Sequence, residues 1–570
     1  MQTRVYRKSF THDWEKPVAV TNGPRRVWIV AASLAVVLLA MSLRLFHLSE
    51  QELWFDEVLS IHRATVDERI LEALRSDDTP PFYYLLLRFW LSAAGISEFS
   101  VRLPSAIAGT LCVLAVIWAG RHMLSPAAGL WAGAFVAVCP IHIYYSQEAR
   151  TYALLTLELA LAYGLAWRAM RLNTWRAWVP VAVTALAALH SHYYTVLGLL
   201  PILFLPFAWP RDDDSSARRR RLLITALVTI LLWVPWLLLA FYPYTHVVTL
   251  ATTAWVAGLW EGTPPVLMMP KTMEVFTLGP QRDMTIMTMK QFVGLRFPDL
   301  LWWLGSTVMA LLLAWAAIPW CDGAVKISWL GRRKLWVGSV VLTPLVILWV
   351  VSLKRPIYVL GRYDMVAFVG FALLVGFAIA KLQGIARTGP ILAVLAAIGL
   401  SIPIGAKLAL YYQAPATRYG AETAQALDDL VENGDVVILS QLRGLPQVLF
   451  YLPQRGYEWK DGTCRNAGRH REFTCRLFIP EASLQTSWDP QLTSDMARRF
   501  VETSVEAIKP GRSGLWAVVG DIRMPSATLV SYGIDNFVGK ELLRAGFRFH
   551  PIEINGLTLL FRFTRDGDSP

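Results

Sequence analysis

Apolar runs long enough to cross a lipid bilayer recur through the first 411 residues of this chain, and they narrow its fold to a bundle of membrane-spanning helices. About 20 helical residues cover a hydrocarbon core of roughly 30 Å, and within that core a helix satisfies its own backbone. The runs fall at Val27–Phe46, Val101–Gly120, Pro126–Tyr144, Tyr152–Met170, Trp178–His190, Tyr193–Trp209, Leu222–Tyr242, Leu300–Trp320, Leu335–Val351, Tyr363–Ala380 and Ile391–Tyr411. The expectation is a mainly α, polytopic membrane protein with about eleven spans. Composition agrees: 55% of the residues are hydrophobic and only 17% charged, with a mean hydropathy of +0.42. No A-x-A-like cleavage site follows the first run, so it reads as a retained anchor.

The formal net charge of +12 does not point to nucleic acid, because the basic residues gather between the apolar runs, as the positive-inside rule predicts. Arg4, Arg7, Lys8, Lys16, Arg25 and Arg26 put the tail, residues 1–26, in the cytoplasm. With eleven spans, the basic segments Arg121–His122, Arg171–Arg176, Arg211–Arg221, Gly331–Lys334 and Lys381–Arg387 share that side. Merging the fifth and sixth runs, which meet at "HSHYYT", would carry Arg218–Arg221 across the membrane.

The same alternation assigns to the outer face the loops 47–100 and 243–299, His142–Arg150, the turn His190–His192, the turn Ser352–Asp364, and residues 412–570. That last block differs in composition. "NGDVVILS", "GLWAVVGD" and "FRFHPIEINGLTLLFRF" read as short strands bounded by turn residues, and "AETAQALDDLVEN" reads as a helix. An extracytoplasmic α/β domain of about 150 residues follows. There Cys464 and Cys475 form either a disulfide, in an oxidising compartment, or two free thiols.

The first outer loop opens with "ELWFDEVLSIH", an acidic pair, Asp56 and Glu57, among aromatic residues. By spacing alone the pair caps a helix lying along the interface, where the helix dipole favours negative charge. Other residues on that face support a chemical role beside this one: Glu148 and Arg150 in "YYSQEAR", His190 and His192 in "LHSHYY", and Lys354, Arg355, Arg362 and Tyr363 in "LKRPIYVLGRYD". Acids, imidazoles and cations at one membrane face suit attack by a hydroxyl on a centre carrying an anionic leaving group. A carboxylate takes the hydroxyl proton, and cations stabilise the charge on the departing phosphate.

"WFDE", "TPPFYYLLLRFW", "SEFSVRLPSAIAGTLCVLAVIWAGR", "YYSQEARTYALL", "LHSHYY" and "GRYDMVAFVGFALL" occur in this order. In that series the chain resembles the bacterial GT-C membrane glycosyltransferases, the protein mannosyltransferase-like family that includes lipid A aminoarabinose transferases. The resemblance covers roughly the first 410 residues. It implies a polyprenyl-phosphate-linked sugar donor, an acceptor hydroxyl on a glycan, lipid or protein, and inversion by a single displacement. It also implies the bacterial cytoplasmic membrane as location, with the chemistry at its outer face. Carried over by position, Asp56 is the base and Glu57 its adjacent alternative. Arg150, Lys354, Arg355, Arg362 and Tyr363 become phosphate or donor ligands, and Glu148, His190 and His192 supporting residues. Where many relatives have a histidine or another polar residue before "PP", this chain reads "DDTPP", so either Asp78 or Thr79 takes that place or the donor contacts differ.

Plainer roles stand beside several of these. Arg102 reads as a span-edge arginine that snorkels. Histidines two apart in a turn either shape the turn or ligate a divalent cation with Asp56 or Glu148. Glu158 lies mid-span, where an ionised side chain costs about 2.5–3.5 kcal/mol on insertion scales, so it needs a partner or a wet interior. A transporter or flippase of lipid-linked sugars is the competing class. It should show paired half-repeats with broken spans, and none is legible in the sequence.

Overall fold

The computed structural model describes residues 24–65, 79–241, 265–279, 298–317, 329–354, 357–413, 419–440, 450–460, 463–478, 490–506, 514–522, 541–554 and 557–565. Within the described residues every expected span falls on helix, but the spans are not equivalent. Among the described residues eight helices are long and apolar enough to cross a membrane: Val27–Leu45, Glu98–Met123, Tyr152–Leu172, Ser215–Leu239, Asp299–Ala317, Leu335–Ser352, Tyr363–Gln383 and Gly389–Gln413. A further pair, Pro126–Val138 and Pro140–Ser146, is long and apolar enough only when taken together, and its two helices meet at 64°. Pro140 forces Cys139 out of the helical region, to φ −65° and ψ 120°. The remaining two expected spans are shorter helices, Trp175–Ser191 and Thr195–Leu203, the latter continued by Leu205–Ala208.

Small residues set how closely these helices approach. A Cβ on Gly120 would sit 2.7 Å from the Gly129 Cα, and one on Gly129 would sit 2.5 Å from the Arg121 amide nitrogen and the Ile117 oxygen. Backbone contact therefore locks Glu98–Met123 against Pro126–Val138.

The break at Pro140 leaves carbonyls without helical partners, and a buried arginine takes them. Arg44 donates to the carbonyls of Val136 and Ala137 at 3.0 and 3.1 Å, to Ser146 Oγ at 3.1 Å and to His142 Nδ1 at 2.8 Å. A guanidinium only donates, so His142 accepts at Nδ1 and its Nε2–H donates to Thr156 Oγ1 at 3.0 Å. Gln147 then caps the first span, giving its amide to the carbonyls of Arg44 at 3.1 Å and Phe46 at 2.7 Å. The "YYSQEAR" turn is thereby fixed to the end of the bundle opposite the basic connections.

On that end lie Phe55–Thr65 and the apolar helix Phe82–Ala94, which starts after Pro81 and buries Tyr83, Tyr84, Leu87 and Leu91. The interfacial helix that the apolar and charged residues of Asp56–Leu74 suggest is seen as Phe55–Thr65, and residues 66–74 lie outside the described residues.

Among the described residues the C-terminal region holds one seven-stranded mixed sheet. Its strands are β1 (Val436–Ser440), β2 (Glu458–Lys460), β3 (Thr463–Asn466), β4 (Arg471–Phe478), β5 (Leu515–Ile522), β6 (Phe547–Ile554) and β7 (Leu557–Arg565). The order is β2-β3-β4-β1-β5-β7-β6, with β1 parallel to both β4 and β5 and the other pairs antiparallel. The helix Tyr419–Leu430 precedes β1, close to where the sequence indicates it. Cys464 on β3 and Cys475 on β4 are buried side by side, with their Sγ atoms 2.6 Å apart.

Candidate active site

The acidic pair divides into two unlike groups. Glu57 occupies the third helical position after Trp54 and accepts that residue's amide at 3.3 Å, half of a capping box. Its carboxylate also receives Arg102 Nε at 2.8 Å, Arg102 Nη2 at 2.7 Å and the Ala149 amide at 2.9 Å. Only 1% of that side chain is exposed. Arg102 in turn donates to the carbonyls of Leu48, Gln51 and Glu52 at 3.0, 2.7 and 2.9 Å. The arginine read as a snorkelling span edge is therefore buried: it joins the first loop to the span Glu98–Met123, and through Glu57 to the turn that carries Glu148 and Arg150. Glu57 does what the capping reading expects of the pair.

Asp56 points elsewhere and is 15% exposed. Arg362 Nη2 lies 2.9 Å from its Oδ2 and Arg150 Nη2 lies 3.9 Å from the same oxygen. Three separate segments of the chain thus meet at one carboxylate. Arg362 is aimed by its other contacts, donating from Nε to Tyr152 Oη at 2.6 Å, with its guanidinium 5.9 Å from that ring's centre. The Tyr145 hydroxyl donates to the carbonyl of Gly361 next to it. Gly361 has φ +66°, a conformation that favours glycine.

Aromatic rings form one side of this group. Tyr145 and Tyr152 lie 4.4 Å apart, Tyr152 and His192 5.6 Å, His192 and Tyr363 5.8 Å, and Tyr363 stacks on Tyr194 at 4.4 Å. Glu148 is the second acid, buried, with Tyr144 Oη 3.4 Å from Oε1 and no hydrogen-bond partner at Oε2 among the described residues. Burial, with the charges of Glu57 and Asp56, pushes its carboxyl up to about 8 against the opposing pull of Arg150 and Arg362. At neutral pH it holds its proton, so two guanidinium groups face one ionised carboxylate and the site carries a surplus positive charge.

The structure gathers Asp56, Glu148, Arg150, His192, Arg362 and Tyr363. It does not bring His190 there: its Nδ1–H is directed at the Leu186 carbonyl, 2.9 Å away, and its ring lies 6.4 Å from Trp236. Lys354 is exposed just beyond the helix Trp329–Ser352. Asp78 and Arg355 lie outside the described residues. Among the described residues no three His, Cys, Asp or Glu side chains are grouped so as to hold a metal ion. Glu158 finds a partner in Ser191, whose hydroxyl donates to it at 2.8 Å. The sequence reading missed Arg44, Tyr145 and Tyr152. A charged residue at the end of an apolar run and the tyrosines flanking "SQEAR" were the available signals.

Residues 78–239 match the family described as dolichyl-phosphate-mannose-protein mannosyltransferase. Among solved structures, the chain is similar to ArnT from Cupriavidus metallidurans bound to undecaprenyl phosphate. Identity is 13% over 94% of this chain and 97% of that one, with a TM-score of 0.51. The Archaeoglobus fulgidus oligosaccharyltransferase in its apo form is 11% identical over 87% of this chain and 70% of its own, with a TM-score of 0.53. AglB from the same organism, in complex with an inhibitory peptide and a dolichol-phosphate, is 12% identical over 96% and 75%, with a TM-score of 0.52. No curated protein sequence matches the chain. The chain therefore shares the fold of these solved structures, and its residues 78–239 are similar to the protein mannosyltransferase family.

Proposed function

We propose that the protein transfers a sugar from a polyprenyl-phosphate donor to an acceptor hydroxyl at the outer face of the bacterial cytoplasmic membrane. Its N-terminus lies in the cytoplasm and the C-terminal domain, residues 412–570, outside. The observation that carries this reading is Asp56 beside Arg362 at 2.9 Å and Arg150 at 3.9 Å, while the neighbouring Glu57 is fully occupied by Arg102 and two backbone amides. The structures of ArnT and AglB, seen with undecaprenyl phosphate and dolichol-phosphate, are consistent with a lipid phosphate here.

The donor phosphodiester carries one negative charge and meets the surplus positive charge of Arg150 and Arg362. Arginine suits that task because its planar donors match phosphate oxygens in pairs. As the phosphate draws these arginines, Asp56 loses its ion-pair partners and is released to accept a proton. The acceptor oxygen then attacks the anomeric carbon and its proton passes to Asp56. The bond from that carbon to the phosphate oxygen breaks, and the electron pair leaves with the phosphate, held by the two arginines. One displacement inverts the anomeric configuration. Neutral Glu148 keeps a second negative charge away from the donor.

The test is a reconstituted assay in proteoliposomes, with a panel of polyprenyl-phosphate sugars and an envelope lipid and glycan extract as acceptor. Formation of a new, inverted glycosidic bond supports the reading. Movement of the donor lipid across the bilayer without bond formation assigns the protein to the flippases instead. Mass spectrometry of envelope lipids and glycans from a strain lacking the protein identifies the sugar and acceptor.

A further inference from the structure

We infer that the C-terminal domain is a positioning element of the catalytic loop, with Tyr451 and Gly420 gripping Leu53 and Glu52 and so fixing where Asp56 stands. The inference rests on the proposed role of Asp56. The Leu53 amide donates to Tyr451 Oη at 2.9 Å, and the Gly420 amide donates to Glu52 Oε2 at 2.5 Å. Leu53 is buried in the same apolar cluster as Tyr451, Phe450 and Leu427. Gly420 stands where no side chain fits: a Cβ there would lie 2.7 Å from the Tyr451 ring and 2.9 Å from the Glu52 carboxylate.

These two bonds fall just upstream of Asp56, on the stretch that Arg102 grips through the carbonyls of Leu48, Gln51 and Glu52. Residues 48–57 are therefore held by two bodies, the bundle through Arg102 and the sheet domain through Tyr451 and Gly420. Neither bond touches Arg150 or Arg362. The tail thus acts on the position of the base and leaves the phosphate ligands alone, a division that kinetics can separate.

The experiment uses the full chain in proteoliposomes and compares Tyr451→Phe, Gly420→Val, Glu52→Leu and Glu52→Gln, with Asp56→Asn alongside. Binding of a polyprenyl phosphate is measured on each. The expected result is a turnover lower by roughly tenfold to hundredfold, the penalty for misplacing a reacting group by about 1 Å, with polyprenyl phosphate affinity unchanged. Glu52→Gln keeps an acceptor oxygen for the Gly420 amide and retains turnover, while Glu52→Leu does not. Wild-type turnover in Tyr451→Phe and Gly420→Val, with Asp56→Asn inactive, overturns the positioning role alone. A parallel loss of phosphate affinity also overturns it, because the damage is then general. Turnover retained in Asp56→Asn overturns the base assignment and this inference with it.

Discussion

Glu57→Gln removes one charge from a site where four donors converge on one carboxylate. The wild-type group takes Arg102 at 2.8 and 2.7 Å, the Ala149 amide at 2.9 Å and the Trp54 amide at 3.3 Å. A glutamine offers one carbonyl oxygen, and its amide nitrogen, itself a donor, must face a guanidinium or a backbone N–H. The Arg102 charge stays buried, with 4% of its side chain exposed, and still bound to three carbonyls. Breaking one side of such a pair costs about 3–5 kcal/mol, a large part of the roughly 5–15 kcal/mol that holds a typical domain together. Thermal unfolding of the purified protein in detergent should show a clear drop in midpoint. Turnover should fall on the order of 100-fold, because Asp56 and the Glu148–Arg150 turn lose their common brace. Replacing both partners, as Glu57→Leu with Arg102→Met, should recover stability more than turnover. Wild-type stability and turnover in Glu57→Gln would refute the clamp. Lost turnover at unchanged stability would refute it as well, since Glu57 would then belong with the reacting atoms.

Donor affinity should hold at neutral pH and decline as pH rises through about 8, where Glu148 ionises and cancels the site's surplus positive charge; Glu148→Gln should abolish that decline in a pH series of donor binding. The same raised carboxyl contributes stability that is fully present below the ordinary carboxylate range and lost as pH rises through about 8, so Glu148→Gln should flatten the unfolding midpoint against pH. Arg362→Ala should weaken polyprenyl phosphate binding by roughly tenfold to hundredfold, the value of one charge-assisted hydrogen bond at about 1.5–3 kcal/mol, read by titration calorimetry. Gly129→Leu should cost at least the roughly 1–3 kcal/mol typical of overpacking, because its Cβ already collides with backbone; the yield of monodisperse protein checks it.

The bundle was legible because a membrane span leaves a one-dimensional signal, a run of apolar residues. The break at Pro140 carried a signal too, yet what repairs it did not: Arg44 reaches across 93 residues to the Ala137 carbonyl, and sequence names a residue type without naming its partner. The same limit left Asp56 and Glu57 as near equals. One helical step turns one carboxylate into Arg102 and the other toward Arg362, contacts 45 and 306 residues away. His190 and His192 looked alike for their spacing, but the end of the helix Trp175–Ser191 falls between them and sends their rings apart. In the tail, β1, β5, β6 and β7 were legible as apolar runs between turn residues. The strands β2, β3 and β4 were not, because β2 and β3 are short and charged residues interrupt "REFTCRLF".

Asp56→Asn in proteoliposomes, assayed for sugar transfer from the proposed polyprenyl-phosphate donor, bears most directly on the role given to this site. The substitution keeps the size of the side chain and removes its ability to take a proton. The expected result is a protein that inserts, binds the donor and transfers no sugar. Transfer at a rate near wild type would contradict it.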